Sequence, residues 1–212
     1  RIAAGVAMIA LALGIATDAP MALQRMIPDY TASLEASTEG ACEDGACEPE
    51  HEVQASTDFA QCARSGAKDC GTLPAIGATE WLNSLGEPHG TVTLVDFWSS
   101  SCVNCAREIP EVERIYEKYK DAGLVVIGVH SPQQAHEREA SVVSGAASRL
   151  GITYPVALDP ELEAFKAYGA NAWPTHYLAG PDGQLRSMGR GTSGLEEQIR
   201  NLLTEAGASL PD

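Results

Sequence analysis

The stretch Val95–Pro110, VDFWSSSCVNCAREIP, decides the fold. An apolar run delivers the chain to two cysteines separated by two residues, and an amphipathic pattern follows. Upstream, TVTLVDFW (Thr91–Trp98) is β-branched and apolar, which suits a strand buried on both faces of a parallel sheet. Downstream, Ile109, Val112, Tyr116 and Tyr119 recur at spacings of three and four, the stripe of a helix that Gly123 can end. Cys102 therefore stands where a buried strand meets a helix N-terminus, facing unpaired backbone N–H groups that lower a thiol pKa. Cys105 is one turn further on nearly the same face, placed to attack a mixed disulfide formed at Cys102. A zinc site would need two more ligands close by, and a structural disulfide gains little from closing so short a loop. The pair thus reads as redox-active, with Cys102 as nucleophile and Cys105 as resolving thiol.

The same alternation continues along the chain. LVVIGVH (Leu124–His130) is a second buried strand, and Val142, Val143, Ala146 and Leu150 mark a helix closed by Gly151. TYPVALD (Thr153–Asp159) reads as a third strand, with Asp159 capping a helix that starts at Pro160. THYLAGPDGQLRSMG (Thr175–Gly189) forms a hairpin around Pro181-Asp182-Gly183, and Ser193-x-x-Glu196 is a capping box for a last helix. The expected order is strand, helix, strand, helix, strand, helix, hairpin, helix: an α/β domain over residues 72–212.

With 212 residues the chain has room for one ordinary domain of ~100–150 residues plus appendages. Lys and Arg total 14 against 29 Asp and Glu, a formal net charge of −15. A phosphate backbone would be repelled over most of such a surface, so nucleic acid is excluded as a partner.

Residues Ile2–Thr17 (IAAGVAMIALALGIAT) carry no charge and follow Arg1. As a helix they would rise roughly 24 Å, slightly short of a ~30 Å hydrocarbon core. They are expected to end a longer membrane helix over residues 1–17, with a signal peptide as the alternative. Arg1 before the run and Asp18 after it place the bulk of the chain outside the cytoplasm. Residues 18–71 lack sustained periodicity, and eleven acidic residues oppose four basic ones over positions 1–71, so an acidic, flexible tether is expected. Cys42, Cys47, Cys62 and Cys70 lie in it, without the spacing of a zinc ribbon. Local disulfides Cys42–Cys47 and Cys62–Cys70 are one of three possible pairings, and exchange of one pair with Cys102–Cys105 is another role open to them.

The motif LVDFWSSSCVNC, with Pro110 five residues after the second cysteine and Trp173-Pro174-Thr175 downstream, resembles the thioredoxin-fold oxidoreductases. ATEWLNS, LVVIGVHSP, RLGITYPVALD and AYGANAWPTHYL are more specifically similar to the membrane-tethered TlpA and DipZ-like redoxins, often fused to a CcdA-type electron-carrying membrane domain. The resemblance covers roughly Ala75–Leu203. It implies a thioredoxin-like fold with a TlpA-type helix–strand insertion between His130 and Pro160, and Ile2–Thr17 as the end of a last CcdA-type helix. It implies thiol:disulfide exchange on protein disulfides, a CcdA-type membrane electron donor, and no cofactor beyond the Cys102–Cys105 disulfide. Pro174 matches the family's cis-proline and Trp173 offers backbone hydrogen bonds to substrate, with Thr175 beside them. Asp96 matches the buried acid that relays a proton for Cys105. Trp98 matches the aromatic beside the site and is expected, with Trp173 and Thr175, to contact substrate, while Pro110 matches the kink of its helix. Val103-Asn104 departs from thioredoxin's Gly-Pro between the cysteines.

His130 and His176 are read as hydrogen-bonded strand-end residues outside the site. A thiol peroxidase is one alternative function, but Val95 and Ser99 occupy the Pro and Thr positions of a peroxiredoxin-like motif. A Cu(I)-holding module using the two thiolates is another.

Overall fold

The computed structural model describes residues 59–66, 70–84 and 87–211. Its elements are β1 (Trp81–Leu82), β2 (Val92–Trp98), α1 (Val103–Tyr119), β3 (Leu124–His130), α2 (Ala140–Leu150), β4 (Val156–Leu158), α3 (Glu163–Ala167), β5 (Thr175–Ala179), β6 (Leu185–Gly189) and α4 (Leu195–Glu205). The strands form one sheet in the order β1-β4-β3-β2-β5-β6. β2, β3 and β4 run parallel, while β1, β5 and β6 are antiparallel to their neighbours. This is the expected order of elements, with β1 added at one edge. The helix and strand expected between His130 and Pro160 are α2 and β4.

Strand alternation divides the core. Val92, Leu94 and Trp98 point to the face covered by α1, α2 and α4, where Cys105, Ile109, Val112, Ile115, Ile199 and Leu203 pack with them. Val95 and Phe97 point to the opposite face, against Phe165 and Tyr168 of the α3 region. Asp96, between Leu94 and Trp98, must therefore lie on the α1 face. Gly123 and Gly151 close their helical segments at φ 101° and 71°, the left-handed conformation that glycine adopts without a Cβ penalty.

Several expectations need correction. The packed body starts before Thr72: residues 59–64 are helical, Phe59, Ala60 and Ala63 are buried, and the Phe59 ring packs against Tyr168 and Tyr177. Four apolar residues, Phe59, Ala60, Cys62 and Ala63, are too few to set a periodic pattern within an acidic stretch. Cys62 and Cys70 form the expected local disulfide. It adjoins residues 71–73, where the Leu73 N–H donates to the Gly183 carbonyl and the Leu185 N–H to the Gly71 carbonyl at the β5–β6 turn, so this staple lies at the far end of the sheet from the Cys102–Cys105 pair. Cys42, Cys47 and the proposed membrane helix 1–17 lie outside the described residues. Among the described residues no helix is long and apolar enough to cross a membrane.

Two caps also differ. α3 begins at Glu163 and not at Pro160, yet the Asp159 carboxylate still accepts hydrogen bonds from the backbone N–H groups of Ala164 and Phe165 at 3.1 and 3.0 Å. At α4 the N-cap is Gly194, without a side-chain cap. Glu196 is drawn away from the capping box by Arg114, Lys118 and Tyr119 on α1, whose charge and hydroxyl outbid a single backbone N–H.

Candidate active site

Cys102 is the N-cap of α1, and its sulfur accepts a hydrogen bond from the backbone N–H of Cys105 at 3.1 Å. The two cysteines are joined as a disulfide, with Cα atoms 5.3 Å apart. Cys102 retains 8% of its surface and Cys105 only 1%. A sulfur arriving from outside can approach the first and not the second. Val103, 65% exposed, is the only large hydrophobic side chain so placed among the described residues, and it adjoins Cys102.

The Trp173–Pro174 peptide bond is cis, as the resemblance implied. Trp173 is half-buried, its ring stacked on Phe165 at a centroid distance of 4.4 Å. Thr175, expected to touch substrate, is buried and its hydroxyl donates to the Ala172 carbonyl at 2.7 Å, so its side chain is committed to its own loop. Trp98 is likewise corrected. Its ring is fully enclosed and meets the edge of His130 at 4.8 Å, so it supports the site from below and has no open face for a substrate.

Asp96 is buried as expected, but it is not alone. The antiparallel register of β2 and β5 sets His176 directly opposite it, and the two form an ion pair with Nδ1 3.2 Å from Oδ1. The other ring nitrogen, Nε2, meets Glu108 of α1 at 3.1 Å. Burial alone would lower the His176 pKa. The facing Asp96 carboxylate, and then Glu108, overcome that and raise it to about 9, so the ring is an imidazolium at neutral pH. A chain of carboxylate, imidazolium and carboxylate thus runs from the strand beneath the cysteine pair to the half-exposed Glu108.

His130 behaves in the opposite way. Burial pushes its pKa down to about 4, and its neutral Nε2 accepts the backbone N–H of Ser100 at 3.2 Å. Glu137, fully buried in the turn after β3, accepts from Ser99 Oγ at 2.9 Å, Ser100 Oγ at 3.0 Å and the Ser101 backbone N–H at 2.8 Å. It also takes the backbone N–H groups of Gln133 and Gln134 at 2.6 and 3.2 Å. Burial alone would raise its pKa, but these donors hold the carboxyl down at about 2. Sequence reasoning set His176 aside and passed over Glu108 and Glu137. The alternation of Thr175–Ala179 does place His176 on the face of Leu178, a usable signal; the turn carrying Glu137 offers none. Among the described residues no group of three or more His, Cys, Asp or Glu is placed to hold a metal ion.

Fold and site together define a thioredoxin-like domain with a Cys-x-x-Cys disulfide at the head of a helix. Residues 73–188 match the AhpC/TSA family, and the chain belongs to it. It is 40% identical over its whole length to protein DipZ of Mycobacterium bovis, of which it spans 33%. It is 31% identical to the thiol-disulfide oxidoreductase YkuV of Bacillus subtilis, covering 61% of this chain and 91% of that one. A solved structure described as a thioredoxin-like protein in the oxidised form matches with a TM-score of 0.58 and 29% identity, over 64% of this chain and 96% of the other.

Proposed function

We propose that this chain is the redox domain of a membrane-tethered reductant of protein disulfides outside the cytoplasm, of the kind that serves cytochrome c biogenesis or redox repair. Electrons would come from a CcdA-type membrane partner and leave through Cys102. The observation that carries the reading is the asymmetry of the pair: Cys102 is reachable at a helix N-terminus while Cys105 is enclosed in the core. The uncharged run Ile2–Thr17 and the similarity to DipZ support the tether and its sidedness. A peroxidase reading is disfavoured because Ser99, at the position of the peroxidatic Thr, commits its hydroxyl to Glu137.

The exchange balances simply. The Cys102 thiolate attacks one sulfur of the substrate disulfide, that bond breaks, and the departing substrate thiolate takes up a proton. Cys105 gives its proton to the Asp96 side and attacks Cys102, so the second substrate thiol is released and two electrons have moved to substrate. Cys102→Ser is expected to abolish reduction of a disulfide-bonded peptide, and Cys105→Ser to accumulate a mixed disulfide visible by mass. Retained turnover in Cys102→Ser, or turnover of hydrogen peroxide faster than of the peptide, would overturn the proposal.

A further inference from the structure

The three residues ahead of the nucleophile are held by groups that no thiol chemistry requires. Ser100 gives its backbone N–H to His130, Ser101 gives its own to Glu137, and the Cys102 N–H goes to the Ser99 carbonyl. None of these amides is left for the sulfur, whose one backbone donor here is Cys105. Glu137 adds a buried negative charge hydrogen-bonded to the residue next to Cys102. Both features act in the same direction. A helix N-terminus favours a thiolate, whereas consumed donors and a nearby carboxylate disfavour it. A less stabilised thiolate makes the reduced pair a stronger reductant, since stabilising the reduced form is what makes an oxidant of this fold.

We infer that Glu137 is a positioning residue that biases the Cys102–Cys105 pair toward the reducing end, by fixing the Ser99–Ser101 loop and by placing a carboxylate beside the nucleophile. The inference rests on the redox reading of the pair and adds a direction to it. Glu137 reaches the loop from the connection between β3 and α2, the same segment that distinguishes this chain from a plain strand–helix–strand unit. Its hydrogen bonds from the Gln133 and Gln134 backbone N–H groups anchor it independently of the Ser99–Ser101 loop.

The test is equilibration of the full chain in glutathione buffers, read as alkylation of the peptide carrying Cys102 and Cys105, for wild type, Glu137→Gln and Glu137→Asp. In this equilibrium the disulfide takes two electrons and two protons from two glutathione molecules, which leave as one glutathione disulfide. Glu137→Gln is expected to raise the equilibrium constant for reduction about tenfold, equivalent to about 30 mV, and to lower the pH midpoint of Cys102 alkylation. Glu137→Asp, which keeps the charge, is expected to stay within about twofold of wild type. An unchanged equilibrium with a lowered melting temperature would make Glu137 a structural anchor only, and a lowered equilibrium constant for reduction in Glu137→Gln would also overturn the inference. Should Glu137→Gln not fold, Ser100→Ala removes one donor and leaves the charge less neutralised, so the equilibrium must move about twofold the other way. No shift, or one of the same sign as expected for Glu137→Gln, overturns it. A wild-type pair that does not titrate at all would instead remove the redox reading beneath it.

Discussion

Replacing His176 by Gln removes a charge held between two carboxylates, and the structure sets both the size and the pH range of the effect. Burial lowers the His176 pKa, but Asp96 at 3.2 Å and Glu108 at 3.1 Å raise it to about 9 from 6.5. At ~1.4 kcal/mol per unit that difference corresponds to about 3 kcal/mol of folding stability. The group is only 4% exposed, so solvent screening takes little from it. Because the folded pKa is raised, the contribution is complete below the unfolded pKa of ~6.5 and disappears as pH climbs through about 9. Within that window the unfolded chain has released a proton that the folded chain keeps, and stability falls by about 1.4 kcal/mol per pH unit. Urea unfolding of the oxidised protein at several pH values should show wild type exceeding His176→Gln by up to about 3 kcal/mol near pH 6, the gap closing by about pH 10. Arg190, which lines the pocket next to His176, and the low-titrating His130 are present in both proteins and cancel in the difference. Curves that stay parallel from about pH 6 to 10 would show that His176 is not an imidazolium in this pair, and the reasoning would fall.

Two further predictions concern packing. Phe59→Ala, which removes a ring 5.7 Å from Tyr168 and 3% exposed, should cost about 3 kcal/mol in urea unfolding if residues 59–66 belong to the folded body; a loss under about 0.5 kcal/mol would return them to the linker. Gly128 lies opposite Asp96 in β3, and a Cβ there would come within 2.8 Å of Tyr154 and 3.1 Å of the Trp98 indole nitrogen. Gly128→Ala should therefore cost about 1–3 kcal/mol and change the near-UV signal of Trp98, whereas an unchanged signal would mean the two rings are not packed as described.

The glutamates and histidines around the cysteine pair connect these results to catalysis. Asp96 sits with an imidazolium on one side, so the carboxylate beneath the site is a paired charge and not an isolated buried acid. On the other side of the nucleophile, neutral His130 and ionised Glu137 hold the loop through hydrogen bonds they accept. The two histidines take opposite charge states because one faces two carboxylates and the other is governed by burial.

What the amino-acid sequence determined by itself was whatever is written in local periodicity or short spacing. The strands Val92–Trp98 and Leu124–His130, the helix after Cys102, the hairpin at Pro181–Gly183 and the place of Cys102 at the head of that helix all follow from patterns spanning fewer than about 20 residues. Tertiary structure alone decided the rest. Asp96 and His176 are 80 positions apart, and only the antiparallel pairing of β2 with β5 makes them neighbours. Glu137 sits in a short turn without periodicity, and it meets Ser99–Ser101 because the parallel pairing of β2 and β3 brings their ends together. The capping box at Ser193 failed for the same kind of reason, since Arg114 and Tyr119 approach Glu196 from another helix. A local pattern reports the preferences of one segment, whereas a buried charge is placed by whichever segments the fold brings against it.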